Sequence, residues 1–276
     1  MKKIIYILFS LFTFLHSQYT FAQIELDSLE QNSKVIIQMN DGEEYTGTIT
    51  EKSEKSIRIK TDNAEIILSI SNIKSITKNT YEGDFRFANP HSTRYFFSPT
   101  GKPIEKGKAY YQNILLVGNF VNFGVGKNIS VGGGLEFIST MYGEPIWFLT
   151  PKIGFEITEN FHVATGLFMA GVTDEGSASL LYSVGTYGNN DANVSLGIGY
   201  GLVDGSLSDI PAITISGSTR VTNGLALLTE NYFIDGFYFG IQGLRLLGKK
   251  SAFDIGVFTI AEAPIPIPFV GYSRAF

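Results

Sequence analysis

Chemistry in this chain would fall to few groups. It has three histidines and no cysteine, which excludes disulfides, thiolate metal sites, a cysteine nucleophile and a lipid-modified N-terminal cysteine. General-base catalysis near pH 7 favours a neutral imidazole, and with His16 in an apolar leader only His91 and His162 are available for it. His91 follows Asn89-Pro90 in a junction, and His162 directly follows the turn Thr158-Glu159-Asn160. Both are ordinary settings for a linker or rim histidine. In Gly197-Ile198-Gly199-Tyr200-Gly201 the third glycine comes one place early for a dinucleotide fingerprint, and no helix pattern follows. Gly126-Lys127-Asn128 lacks the Ser or Thr of a phosphate loop, and no acid or histidine cluster has metal-ligand spacing. No catalytic, cofactor-binding or metal residue is expected, and the chain reads as a non-enzyme without a cofactor.

A different set of side chains carries more information. Glu136, Lys152, Glu156, Arg220, Glu230 and Asp254, with Arg245 less clearly placed, sit within runs that alternate apolar and small or polar residues. If these runs are membrane strands, a charge on the lipid face near mid-membrane costs a few kcal/mol, so the six are expected to line a lumen. Paired acids and bases there would knit a filled interior. Alternatively, inward glycines leave a narrow pore whose selectivity the charges set.

The elements that position them start with the hairpin at residues 119–137. Val121, Phe123 and Val125 share one face of its first arm, and Ile129, Val131, Leu135 and Phe137 share one face of its second. A soluble sheet has the same period of two, so the repetition decides. Candidate strands are 94–98, 110–126, 129–139, 146–157, 161–171, 179–188, 194–202, 212–221, 225–233, 237–246, 252–260 and 269–276, about twelve in all, an even number suited to an outer-membrane barrel. Tight turns at Lys127-Asn128, 158–160, 189–191, 222–224 and 248–250 each follow an even-ranked strand, provided 94–98 counts as the first. Tight turns belong on the periplasmic side, so both ends of the barrel segment are expected there, and the connections 140–145, 172–176, 204–210 and 261–268 outside.

Composition agrees. Aromatics make up 13% of 276 residues against 17% charged, and there are 30 glycines. Something apolar faces outward. A net charge of −5 leaves no basic footprint for nucleic acid. Residues 1–22 carry Lys2 and Lys3, then an apolar run ending before His16, then a polar stretch closing on Ala22, which reads as a cleaved signal peptide. Residues 23–80 differ in character. Five short alternating runs, turned at Asn40-Asp41-Gly42, Ser53-Glu54 and Asp62-Asn63, suit a small SH3-like β domain, with 81–92 as linker and 93–276 as the barrel.

The small domain resembles the Sm-like fold through Asp41-Gly42, Gly47 before Ile49, and Ile57-Arg58-Ile59-Lys60-Thr61. Its second half ends ISNIKSI without the basic step of the family's nucleotide pocket, so the resemblance implies fold and not RNA binding. The chain's end, PFVGYSRAF, resembles the C-terminal assembly signal of outer-membrane barrels through Gly271, Tyr272 and Phe276, with Arg274 where an aromatic is usual. With RYFFSPTG and KGKAYYQN, residues 23–276 resemble an uncharacterised Gram-negative outer-membrane β-barrel family that carries a small N-terminal Sm-like or SH3-like periplasmic domain. The expectation is an all-β protein with a structural or narrow-pore role in the cell outer membrane. Its expected partners are membrane lipid, the barrel-assembly machinery and, through the small domain, a periplasmic protein or peptidoglycan. A receptor or adhesion barrel acting through its outer loops is the alternative, and a barrel lipid hydrolase a weaker one.

Overall fold

The computed structural model describes residues 29–61, 64–79, 85–173, 175–203, 206–261 and 267–276, so the expected signal peptide lies outside the described residues. The chain divides into two compact units, Met1–Arg86 and Phe87–Phe276.

In the first unit the five short runs form β1 (Lys34–Met39), β2 (Glu44–Lys52), β3 (Ser56–Lys60), β4 (Glu65–Ser69) and β5 (Ile73–Lys78). Period-two alternation puts Val35, Ile37 and Met39 on one face of β1, where they pack with Ile49, Ile57, Ile59, Leu68 and Ile76. Gly42 takes φ +94° in the β1–β2 turn, a left-handed conformation that glycine adopts freely. The strands pair antiparallel in the order β4-β3-β2-β1-β5, with a 3-10 turn, Ile70–Asn72, between β4 and β5. Among the described residues β4 and β5 do not pair with each other, so the sheet is open where a closed small barrel was expected.

The second unit is a closed antiparallel barrel. Its strands are β6 (Ala109–Ile114), β7 (Gly118–Gly124), β8 (Ile129–Glu136), β9 (Ile146–Leu149), β10 (Lys152–Thr158), β11 (Phe161–Val172), β12 (Gly176–Gly188), β13 (Ala192–Val203), β14 (Ser206–Thr222), β15 (Leu225–Ile234), β16 (Phe237–Leu247), β17 (Ser251–Ile260) and β18 (Ile267–Ala275). A six-residue helix, α1 (Phe137–Tyr142), follows β8. β18 pairs with β6 and closes the ring. β9 and β10 both pair between β8 and β11 and form one wall strand, broken where Pro151 has no N–H to give. Counting them as one, the thirteen-member sheet is a twelve-stranded barrel.

That number matches the expectation by a different route. Residues 94–98 form no wall strand; they carry only an isolated bridge between Arg94 and Pro99. The expected long strand 110–126 is two strands, β6 and β7, which reverse at Leu115-Leu116-Val117 with Leu115 and Leu116 at φ +52° and +67°. Two leucines at positive φ are uncommon, and ILLV contains none of the usual turn residues, so this reversal has no local signature. One strand lost and one gained leave every later rank unchanged. On the loop side, β14 starts at Ser206, so most of the expected connection 204–210 is strand.

Alternation along the wall separates two faces. Phe123, Ile153, Phe155, Leu196, Ile198, Ile215, Phe253 and Ile255 stand exposed on the outside, while Ser130, Lys152, Thr186, Ser195, Glu230, Arg245, Asp254 and Ser273 are buried. The core of this unit includes Tyr95 and Phe96, packed with Ile114, Leu228, Ile241 and Phe269 of the wall. The stretch expected as the first strand is enclosed by the barrel.

Candidate functional site

The site is the seat of this internal segment, roughly residues 89–105. A chain that leaves the sheet must satisfy its backbone groups otherwise, and here inward side chains of the wall supply the partners. The Glu230 carboxylate accepts from three consecutive backbone N–H groups, Phe96 at 2.7 Å, Phe97 at 3.0 Å and Ser98 at 3.0 Å, and also from the Tyr232 hydroxyl. Gln112 on β6 donates to the Phe96 carbonyl at 2.8 Å. Further along, Thr186 accepts from Gly101 N and Ser130 from Ile104 N, at 2.8 and 2.9 Å. Lys152 donates to the carbonyls of Thr100 and Lys102 at 3.1 and 2.7 Å.

A buried charge cluster fixes the start of the segment. Arg245 pairs bidentately with Asp254, Nε to Oδ1 at 2.6 Å and Nη2 to Oδ2 at 3.0 Å, and donates to the carbonyls of His91, Arg94 and Tyr95. Arg94 reaches Asp254 Oδ2 at 3.3 Å and Ser273 Oγ at 2.6 Å. One carboxylate thus serves two guanidinium groups; Arg245 gives its remaining donors to main-chain oxygens, whereas Arg94 divides its own between the Tyr95 carbonyl and Ser273 Oγ and keeps its buried Nε without a partner among the described residues. His91 is enclosed beside them. Burial, then the charges of Arg94 and Arg245, hold its imidazole well below the ordinary histidine range, so it is neutral. Burial likewise pushes Lys102 down to about 8; its Nζ donates to Asn190 Oδ1 at 2.8 Å.

Two glycines complete the seat. A Cβ on Gly154 of β10 would lie 2.8 Å from the Gly101 carbonyl oxygen, and one on Gly124 of β7 would strike the carbonyl oxygens of Ile104 and Glu105. The wall is bare there because the segment's backbone runs against it.

Of the six charges expected in the lumen, Lys152, Glu230 and Asp254 bind the segment directly. Arg220 binds where the chain enters, through the Phe87 carbonyl at 2.7 Å and Asp191 at 3.0 Å. Glu136 caps α1, accepting from the N–H groups of Ile138 and Ser139. Glu156 shares the inward parity of Lys152 but is exposed near the end of β10. His162 lies on β11 opposite Glu156, away from the cluster around His91. Gly271 and Tyr272 lie within β18; Phe276 closes the ladder, donating its N–H to the Ala109 carbonyl. Among the described residues no group of three or more acids, histidines or cysteines could hold a metal ion.

Sequence reasoning missed the segment itself. The available signal was Arg94-Tyr95-Phe96-Phe97, three aromatics in a row where a wall strand alternates. Solved structures resemble this barrel. The KdgM porin superposes with a TM-score of 0.42 at 9% identity, over 61% of this chain and 95% of the porin. The NanC porin gives 0.41 at 8% identity over 61% and 97%. Salmonella typhi OmpF in complex with daunomycin gives 0.34 at 9% identity over 88% and 95%. No protein-family model and no curated protein matches the sequence. The functional reading therefore rests on this chain's own side chains.

Proposed function

We propose that this chain is an integral outer-membrane barrel of Gram-negative type, non-enzymatic, with a structural role and an interior filled by its own residues 89–105. The observation that carries this reading is the use of Glu230, Arg245 and Lys152 on the segment's backbone and of Asp254 on its Arg94 side chain, which leaves these charges engaged rather than lining a water column. Membrane residence is supported by the exposed apolar outer face, since a closed barrel satisfies its backbone within lipid. The signal-peptide pattern and the terminal Gly271, Tyr272 and Phe276 point to export and barrel assembly. On this reading the tight turns and the first unit are periplasmic. Strand order and the 3-10 turn support an SH3-like fold for that unit, which would bind a periplasmic protein or peptidoglycan.

The test is single-channel conductance of the refolded chain without residues 1–22 in a planar bilayer, with Glu230→Ala beside it. Silence from the native chain and stepwise currents from the variant are expected. Stable steps from the native chain would overturn the filled barrel in favour of a narrow pore.

A further inference from the structure

The inner wall changes character along the barrel axis. Arg245 and Asp254 lie toward the tight-turn end and Glu230 and Lys152 about mid-wall, all around the segment. Toward the other end the hydrogen-bonded register places aromatic residues on the same inward face. Phe120 lies opposite Gln112, whose amide binds the segment, and Phe148 continues that row through Gly134. Tyr232 stands two residues beyond Glu230 and opposite Phe239; Phe258 stands four beyond Asp254. These rings touch: Phe120 to Phe148 at 5.0 Å, Phe148 to Phe168 at 5.8 Å, and Tyr232 stacked on Phe239 at 4.4 Å. Phe97 of the segment meets Phe269 at 5.4 Å and Phe258 at 6.1 Å.

This lining is not fully covered. Phe97 and Phe168 are each 38% exposed, and Ile234 and Phe237 at the rim 37% and 45%. Lipid covers apolar surface on the outer face, but nothing comparable covers it inside the mouth, where it meets water at a cost proportional to area. The connections at this end add a charge bias. Glu144, Glu175 and Asp235 lie in them and Asp209 at the start of β14, whereas they contain no lysine or arginine. Rings with negative faces below acidic connections suit one chemistry, an apolar body carrying a positive charge.

We propose that the aromatic mouth formed by Phe97, Phe120, Phe148, Phe168, Tyr232 and Phe258 binds amphipathic organic cations. The site borders the seat of the segment, sharing Phe97 and Tyr232 with it through Glu230, and its occupancy does not depend on whether the barrel conducts. The apolar body displaces water from the inward rings; the acidic connections raise the local concentration of the cation.

The test is equilibrium binding of tetraphenylphosphonium to the refolded chain in nanodiscs, read against empty nanodiscs, with tetraphenylborate as the anion of similar shape. Expected are saturable one-site binding above the lipid background, a loss of tenfold or more in Phe148→Ala/Phe168→Ala, and weaker binding of the borate than of the phosphonium. Asp235→Asn should lower cation affinity by a few-fold at low salt and hardly at high salt. Phe168→Leu, checked like the others for heat-modifiable migration, keeps the test valid should the double variant fail to fold; it should weaken binding less than the double variant. Absence of saturable binding, or affinity unchanged in every folded aromatic variant, would overturn the site. Borate binding as tight as phosphonium would overturn its charge preference.

Discussion

Glu230→Ala is the sharpest perturbation of the internal segment. It removes the acceptor of three adjacent backbone N–H groups, those of Phe96, Phe97 and Ser98, in a fully buried place, and leaves the β15 ladder intact. A buried donor without a partner costs about 1–3 kcal/mol. At the low end three orphans amount to about 3 kcal/mol, or roughly 150-fold in the population of the released segment. The low end applies because the space left by the carboxyl group admits water. The wall's backbone hydrogen bonds are untouched and only the Tyr232 hydroxyl loses a partner there, so release of the segment is expected and not unfolding of the wall. Hydrogen exchange followed by mass spectrometry reads this directly: peptides covering 95–100 should exchange about a hundredfold faster, with those of β11 to β14 unchanged. Glu230→Gln keeps an oxygen acceptor and should lie between. Equal exchange at 95–100 in the native chain and in Glu230→Ala would refute the view that this carboxylate holds the segment.

Three further outcomes follow from the same seat. Asp254→Asn leaves Arg94 and Arg245 without their shared counter-charge and should cost about 3–5 kcal/mol, seen as a lower temperature of heat-modifiable migration; Glu156→Gln, at an exposed position, should not move it. Gly154→Val places a branched side chain where the Gly101 carbonyl and Pro103 already lie, so it should displace the segment and expose 98–104 to added protease. His91 has a lowered pKa in the folded chain, so a released segment binds a proton that the docked one does not. Docking is therefore strongest above the ordinary histidine pKa and weakens as pH falls below it, by about 2 kcal/mol at pH 5. Exchange at 95–100 should accelerate accordingly between pH 7 and pH 5 after correction for the intrinsic rate, and His91→Gln should flatten that dependence.

Much of the wall was legible because a sheet with one apolar and one polar face imposes a period of two. Lys152, Glu230 and Asp254 could be assigned inward from the cost of a charge in lipid alone, and they are buried and engaged. What they bind was not legible. Glu230 and Lys152 bind main-chain N–H and carbonyl groups of a segment without periodicity, and a backbone group leaves no mark in a sequence; Asp254 binds the Arg94 side chain of that same segment. The same limit hid the β6–β7 reversal, which Leu115 and Leu116 make without glycine or asparagine. Glu136 shows a third limit: it lies in the register of β8, but at its last residue the chain turns into α1 and the carboxylate serves as a cap. Parity along a strand identifies a face, and stops doing so where the strand ends.

Closure by β18 and β6 has a mechanical consequence. Five register pairs join these strands, as many as join β8 to the broken strand β9–β10 and half the ten between β15 and β16, so the seam between first and last strand is one of the two places where lateral opening would begin. Both of its sides are fastened to the same interior segment. Ser273 of β18 holds the Arg94 guanidinium, and Gln112 of β6 holds the Phe96 carbonyl. The segment thus acts as an internal rivet across one of the two shortest joins in the ring, and loosening it slackens the seam as well as emptying the bore.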